Sequence, residues 1–108
     1  MCSRSLLSSQ LADTAEFLCD YLGYDKFLST NSGVEACEAA VKLARKWGYT
    51  VKGVPTNTAS IVMANNNFWG RSITASGACS DHSRGENFGP HTPGFHMVPY
   101  NDPIALEA

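Results

Sequence analysis

The residues that could bind a ligand fall in two short groups, Ser32-Gly33-Val34 and Asn67-Phe68-Trp69-Gly70-Arg71. The first group precedes a strongly helical sequence. The first N–H groups of a helix have no intrahelical partner and lie at the positive end of its dipole, so a phosphate is stabilised there. Gly33 has no Cβ to keep a ligand away from the backbone. A glycine that serves only tight packing is the open alternative.

The second group combines two adjacent aromatic residues with an arginine. Phe68 and Trp69 follow a polar Asn run and belong to no periodic apolar stripe. An aromatic face can stack on a flat ring, and Arg71 can hold a carboxylate through two charge-assisted hydrogen bonds. The group therefore indicates a site for a planar ligand and a carboxylate. Aromatic side chains that plug a core edge, with Arg71 in a structural ion pair, are the alternative.

The first half of the chain predicts two helices joined by a short strand. Leucine and alanine residues at helical spacing predict an amphipathic helix over 6–22 that stops at Gly23, and Lys26–Ser29 is a short strand candidate. A second helix is predicted over 34–49, with Glu38 and Lys42 as an i,i+4 ion pair. The stripe predicted to pack this helix on a sheet is Ala36, Ala40, Leu43, Ala44 and Trp47.

The second half predicts two more strands. The apolar run Ser60–Ala64 is typical of a strand buried on both faces of a parallel sheet, and Phe95–Pro99 is the next strand candidate. Between them we predict a short helix within 72–79 and a long surface loop over 80–94. Asp102 and Pro103 then begin a helix, and the sequence ends after about one turn of it, so we expect that the chain is truncated.

The alternation of helices and strands predicts an α/β fold, in which ligands collect beyond the carboxyl ends of the strands. A chain of 108 residues with 44 % apolar residues suits one domain or less. The net charge of −2 leaves no basic field for nucleic acid, and no apolar run is long enough for a bilayer. The cysteines and histidines lack metal-ligand spacing, so we expect reduced thiols, no metal and an intracellular protein.

Four blocks of the sequence carry a family resemblance. They are 22–26, Asn31–Ala36, 42–49 and Asn67–Arg71, with agreement downstream at Pro93-Gly94-Phe95 and over 99–102. The chain resembles the ornithine aminotransferases, a group of class III aminotransferases that use pyridoxal 5′-phosphate. The resemblance covers nearly the whole sequence, and Trp69 favours the ornithine group because the acetylornithine and 4-aminobutyrate relatives usually carry His there.

The resemblance implies a role for each residue of the two groups. Ser32, Gly33 and Val34 would hold the cofactor phosphate, and Phe68 would stack on the pyridine ring. Trp69 would border the substrate pocket and Arg71 would pair with the substrate α-carboxylate. The Schiff-base lysine and the acidic partner of the pyridine nitrogen lie downstream in the family, beyond Ala108, so we nominate no catalytic residue here. Ser32 stands where Thr is common, and the Asn run is unusually polar.

The resemblance also implies what the whole enzyme would be. Residues 1–108 would be part of the large domain of a fold-type I transferase, a three-layer α/β/α structure like aspartate aminotransferase. The enzyme would be a homodimer of the cytoplasm or mitochondrial matrix, acting on an amino acid and a 2-oxo acid. Another class III aminotransferase, a non-catalytic α/β phosphate-binding module and a remnant with only an interaction role are the alternatives.

Overall fold

The computed structural model describes residues 8–108, and the chain divides into two compact units, Met1–Asn31 and Ser32–Ala108. In the first unit, helix α1 spans Ser9–Leu22. Its half-buried positions include Leu11, Ala15 and Leu18, as the spacing predicts, whereas the predicted helical positions 6 and 7 lie outside the described residues. Gly23 ends α1 in the left-handed conformation with φ 72° and ψ 34°, which confirms the predicted stop.

The strand predicted at Lys26–Ser29 is wrong. Within residues 8–108 the strands are β1, Ile61–Ala64, and β2, Phe95–Val98. A short apolar segment becomes a strand only when a neighbouring strand accepts and donates its backbone hydrogen bonds, and the segment has no such neighbour in the part of the chain that the structure describes. Its apolar side chains are open to solvent, with Phe27 40 % and Leu28 75 % exposed.

The second unit begins with helix α2, Gly33–Thr50, within a residue of the predicted bounds. Strand β1 pairs in parallel with β2, in a register that sets Ile61 beside Phe95 and Ala64 beside Val98, so the predicted parallel pairing is confirmed. Helix α3, Ile73–Gly77, and the single turn α4, His82–Gly85, lie between the strands, and α5, Pro103–Glu107, follows β2. The predicted loop over 80–94 therefore contains one helical turn.

The packed face of α2 differs from the predicted stripe. The side chains of Leu43 and Trp47, both in that stripe, are 69 % and 51 % exposed. The less exposed positions are instead 34, 37, 38, 39, 41, 45, 48 and 49, most of them on another face of the helix. Two of them, Glu38 and Arg45, are charged, so a search for apolar periodicity passes over this face.

Little of the chain is fully buried. Among the described residues the buried hydrophobic side chains are Ala75 and Ala78, at 3 % and 0 % exposure, both in or next to α3. Val62 in β1 is 46 % exposed. The expectation that β1 is covered on both faces is therefore wrong for residues 8–108, within which Val62 and its register partner His96 are both exposed.

No helix among residues 8–108 has the length and apolar content needed to cross a membrane.

Cys19, Cys37 and Cys79 are free and half-buried, in agreement with the expectation of unpaired thiols. Cys2 lies outside the described residues.

Candidate functional site

Ser32 caps the N-terminus of α2. Its Oγ accepts a hydrogen bond from the N–H of Glu35 at 3.4 Å and donates to Glu35 Oε2 at 3.2 Å. The Ser-x-x-Glu spacing is typical of reciprocal capping at a helix start. The Ser32 side chain accepts from the third N–H group of the helix, that of Glu35. The N–H groups of Gly33 and Val34 have no acceptor within the helix. A Cβ added to Gly33 would meet nothing within 4 Å, so a ligand has open access to this backbone.

Gly70 brings the second predicted group against the first. Its φ is +148°, and a Cβ built on it would lie 2.2 Å from Val34 Cγ2, so only glycine fits here. A second contact lies beside it, where Ser72 Oγ donates to Glu38 Oε1 at 2.5 Å. These contacts hold the segment that follows β1 on the first turns of α2. The structure therefore brings together the two groups that the sequence singled out.

The polar Asn run forms the turn that leads from β1 into this segment. Asn66 adopts a left-handed conformation with φ 60°, which asparagine tolerates better than most residues. Its N–H donates to Ser80 Oγ at 2.7 Å, and Asn67 Nδ2 donates to Ala64 O at 2.8 Å. The unusual polarity of the run thus has a local structural cause, because its side chain and backbone groups close the turn.

A cleft of 460 Å³ opens beside the segment. Seven residues line it: Phe68, Gly70, Arg71, Ile73, Ser76, Arg84 and Phe88. Arg71 is exposed and makes no hydrogen bond or ion pair with the part of the chain that the structure describes. Its guanidinium is therefore available to a ligand, and the structural ion pair that the sequence left as an alternative is not formed within residues 8–108.

Phe68 projects into this cleft and is 62 % exposed. The guanidinium carbon of Arg84, in α4, lies 5.1 Å from the centroid of its ring. Sequence reasoning missed Arg84 because it sits in a loop without apolar anchors, 16 positions after Phe68. The available signal was Asp81, three residues earlier, since an Asp-x-x-Arg spacing favours a helical turn with an ion pair.

Trp69 points to a different neighbour. Its ring lies 6.4 Å from that of Phe95 in β2, at an interplanar angle of 30°, and it does not line the cleft. Arg45 of α2 covers the same Phe95 ring at 5.1 Å and donates to Pro93 O at 2.5 Å. Trp69 Nε1 is buried without a hydrogen-bond partner. The predicted contact of Trp69 with a substrate stays a prediction.

The ion pair predicted between Glu38 and Lys42 is not formed, because Glu38 turns to Ser72. The ion pair within residues 8–108 joins Arg84 Nε to Asp81 Oδ2 at 3.0 Å. Hydrogen bonds from Ser83 and, less strongly, the charge of Arg84 hold the pKa of Asp81 below its usual 3.8. Asp81 is therefore ionised at neutral pH.

The loop over 80–94 folds around His91. The His91 ring lies so close to Gly77 that a Cβ there would be 2.6 Å from His91 Cγ, and His91 Nε2 is 2.9 Å from Gly85 O. Thr92 Oγ1 and Thr74 Oγ1 are hydrogen-bonded at 3.0 Å. Over the described residues, no cluster of three or more His, Cys, Asp or Glu side chains could hold a metal ion.

Comparison with known sequences gives one family. The family described as aminotransferase class-III matches residues 1–108. A probable mitochondrial ornithine aminotransferase of Caenorhabditis elegans is 51 % identical over 105 residues, which are 97 % of this chain and 25 % of that protein. The ornithine aminotransferase of Plasmodium falciparum is 48 % identical over 99 % of this chain and 26 % of its own length. The chain thus spans about a quarter of these relatives.

Comparison with solved structures agrees. The ornithine aminotransferase of Toxoplasma gondii superposes with a TM-score of 0.93 at 41 % identity, over 99 % of this chain and 25 % of that one. Another structure of that enzyme is described as having partial occupancy of PLP at its active site. An acetylornithine aminotransferase of Elizabethkingia anophelis gives a TM-score of 0.72 at 47 % identity, over 99 % of this chain and 25 % of its own.

Proposed function

The chain belongs to the class III aminotransferase family, and we propose that it is the part of an ornithine aminotransferase that holds the cofactor phosphate and the substrate carboxylate. The complete enzyme would transfer the δ-amino group of L-ornithine to a 2-oxo acid such as 2-oxoglutarate, giving glutamate 5-semialdehyde and glutamate. The observation that carries the proposal is the contact of Gly70 with Val34, which sets Phe68 and Arg71 beside the start of α2.

For the fold, we propose that residues 1–108 belong to the large domain of a fold-type I transferase with three α/β/α layers. The parallel pair β1 and β2 suits the central layer. The exposed apolar side chains of α2 and of Val62 support the presence of further layers in the complete protein. The family resemblance supports a homodimer, to whose interface residues 80–94 would contribute.

Pyridoxal 5′-phosphate, the cofactor of this family, fits the residues at the start of α2. The phosphate would bind at the free N–H groups of Gly33 and Val34 and at Ser32 Oγ, where the helix dipole favours negative charge. Open space above Gly33 permits this approach. Phe68, 62 % exposed, would stack on the pyridine ring. When bound, the cofactor supplies an electron sink for the carbon that exchanges its amino group.

Arg71 is proposed to hold the α-carboxylate of the amino acid, because its guanidinium lines the cleft and has no partner within residues 8–108. A carboxylate held by two parallel N–H···O bonds is fixed in orientation as well as in place. Ornithine held by this end would present its distal amine to the cofactor, which accounts for selection of the δ-amino group. Trp69 remains the proposed border of the substrate pocket.

The second candidate is an acetylornithine aminotransferase, which the 47 % identity to the Elizabethkingia enzyme favours. Both activities use the same cofactor and the same class of substrate, so the two enzymes would hold the phosphate and the carboxylate in the same way. Trp69 is the residue that separates them in the family resemblance. Several animal relatives are named as mitochondrial, and we propose an intracellular enzyme of the mitochondrial matrix or cytoplasm.

The test uses the complete protein that contains this chain. We expect visible absorbance on addition of pyridoxal phosphate, a change of that spectrum with ornithine, and a smaller rate with N-acetylornithine or 4-aminobutyrate. Arg71→Gln should raise KM for ornithine by about tenfold or more, because a charged hydrogen-bond pair contributes about 1.5–3 kcal/mol. The cofactor spectrum of this variant should be unchanged.

Lys46→Gln is the matched control, because it removes an exposed cation of α2 that does not line the cleft. A complete protein that leaves the absorbance of pyridoxal phosphate unaltered would favour the α/β phosphate-binding module instead. A higher rate with N-acetylornithine than with ornithine would select the second candidate.

A further inference from the structure

Arg71 lies between two residues that are fixed on helix α2. On one side of it, Gly70 lies so close to Val34 that a Cβ there would be 2.2 Å from Val34 Cγ2. On the other side, Ser72 Oγ donates a hydrogen bond to Glu38 Oε1 at 2.5 Å. Val34 and Glu38 are four residues apart, so both contacts lie on one face of the helix. The backbone of Arg71 is therefore held from both sides.

Ser72 also connects Glu38 to the helix that follows. Its Oγ donates to Glu38 and accepts from the N–H of Ala75 at 3.0 Å, so that it caps helix α3. A hydroxyl has one hydrogen to donate and lone pairs that accept, so the same oxygen can make both bonds at once. The Glu38 carboxylate thus holds both the segment that carries Arg71 and the start of α3.

Glu38 is an unusual residue for the position that it occupies. It is half-buried on the packed face of α2, and among residues 8–108 no lysine, arginine or histidine forms an ion pair with it. Lys42, one turn later, is exposed. An apolar side chain on a packed face would contribute more to stability than a carboxylate without a cation does. Departures of this kind from the packing rule are expected where a residue has a functional role.

We propose that Glu38 is a positioning residue for substrate binding, which acts through Ser72 to hold the Arg71 guanidinium in the direction from which it receives the substrate carboxylate. The inference rests on the proposed function for the role of Arg71. Arg71 lines the cleft of 460 Å³, whereas Glu38 and Ser72 do not, so Glu38 acts without touching the ligand. An arginine binds a carboxylate through two parallel hydrogen bonds, and this geometry is lost when the guanidinium is tilted or displaced.

The kinetic test uses the complete protein and two amines, ornithine and butane-1,4-diamine, which is ornithine without its carboxylate. Glu38→Ala should lower kcat/KM for ornithine about fivefold or more and leave that for the diamine within about twofold, because the diamine has no group for Arg71 to hold. Glu38→Gln keeps an oxygen that accepts from Ser72 Oγ and should restore part of the loss. Ser72→Thr keeps the hydroxyl and should behave as the parent protein does.

A double substitution distinguishes positioning from a general effect on folding. Glu38→Ala made in the Arg71→Gln protein should lower kcat/KM for ornithine by no more than about twofold further, because the residue that Glu38 positions is already removed. Full additivity of the two substitutions overturns the proposal. An equal loss for ornithine and the diamine in Glu38→Ala also overturns it.

Tyr49→Phe is the matched control, because Tyr49 also joins α2 to a distant segment, where its hydroxyl accepts from the N–H of Ala59 at 3.2 Å. Tyr49 does not line the cleft. Its substitution should lower stability without a change in kcat/KM for ornithine. A loss for ornithine as large as that of Glu38→Ala would show that any loosening of α2 is sufficient, and Glu38 would then have no specific role.

The outcomes separate this inference from the proposed function. If Arg71→Gln alone leaves kcat/KM for ornithine unchanged, Arg71 does not hold the carboxylate, and the proposed role of Arg71 fails together with that of Glu38. If Arg71→Gln lowers kcat/KM for ornithine and Glu38→Ala does not, the proposed function stands and Glu38 is not a positioning residue.

Discussion

The single hydroxyl of Ser32 is both a hydrogen-bond acceptor and a hydrogen-bond donor at the start of α2. Its oxygen accepts from the Glu35 N–H at 3.4 Å and its hydrogen is directed to Glu35 Oε2 at 3.2 Å. A bound phosphate would take that hydrogen from the Glu35 carboxylate, because the phosphate would carry the larger negative charge at the helix N-terminus. The same residue thus stabilises the helix and, in the proposed function, binds the cofactor.

Substitution of Ser32 can separate its role in helix capping from its proposed role in cofactor binding. In the complete protein, Ser32→Ala should cost about 1 kcal/mol of stability through loss of the cap. It should also raise the dissociation constant of pyridoxal phosphate about tenfold, because a hydrogen bond to a charged oxygen is lost. Ser32→Thr keeps the hydroxyl and should preserve both properties. Cofactor affinity is measured by titration of absorbance, and stability by thermal unfolding of the cofactor-free protein.

A second cap provides the control. Asp102 caps α5 through a 3.0 Å hydrogen bond from the Ala105 N–H, and it lies outside the candidate site. Asp102→Ala should lower stability without a change in cofactor affinity. If Ser32→Ala and Asp102→Ala weaken the cofactor equally, capping alone explains the effect and Ser32 has no direct role.

At the residue scale, the sequence pointed to the site but not to all of its members. Ser32, Gly33 and Arg71 are marked by a helix start, a missing Cβ and an unexplained charge, which are local features. Arg84 and the stacking of Trp69 on Phe95 depend on contacts between segments far apart in sequence. Spacing along one element carries no information about such contacts, so the structure was needed to find them.

At the scale of elements, the close approach of Gly70 to Val34 joins the segment after β1 to α2. A Cβ on Gly70 would lie 2.2 Å from Val34 Cγ2, and its φ of +148° is rarely adopted by other residues. Any side chain at position 70 must push the segment away from the helix. Because Phe68 and Arg71 lie on that segment, their distance from the proposed phosphate site depends on this one glycine.

Gly70→Ala should therefore lower both stability and ligand binding in the complete protein. We expect a loss of about 1–3 kcal/mol from the clash, added to the backbone strain. Gly53→Ala is the matched control, because Gly53 also has a positive φ, +73°, but a Cβ there would meet nothing within 4 Å. Thermal unfolding measures the loss of stability in both variants, and cofactor titration measures the loss of binding. Equal effects would show that Gly70 is required for its φ alone.

Element positions were more predictable than element contacts. The apolar runs and caps of the sequence predicted α2, β1, β2 and the start of α5 to within a few residues. The packed face of α2 was missed because Glu38 and Arg45 lie on it, where Glu38 accepts a hydrogen bond from Ser72 Oγ and one terminal amino group of Arg45 donates to Pro93 O. Hydrogen bonds to other segments thus allow charged side chains to lie on the packed face of a helix beside apolar ones such as Val34 and Val41.

At the scale of the whole molecule, the chain leaves much apolar surface uncovered. Its buried hydrophobic residues within the described part are two alanines, whereas Leu43 and Trp47 are 69 % and 51 % exposed on one face of α2. The sheet within residues 8–108 has two strands, so each strand has an edge without a partner. Exposed apolar faces and free strand edges both favour association with other protein surfaces.

Residues 1–108 expressed alone should therefore self-associate and should not transaminate ornithine. Leu43→Lys tests whether the exposed face of α2 causes the association, both in the isolated chain and in the complete protein. In the isolated chain this substitution should reduce aggregation, measured by light scattering, because it places a charge on the exposed face of α2. In the complete protein it should lower the thermal midpoint, because burial of a leucine contributes about 1.5–3 kcal/mol and the proposed layers would cover it. Lys42→Gln, at the neighbouring exposed position, should do neither. A soluble, monomeric isolated chain, or a complete protein indifferent to Leu43→Lys, would contradict the proposal that other parts of the enzyme cover this face of α2.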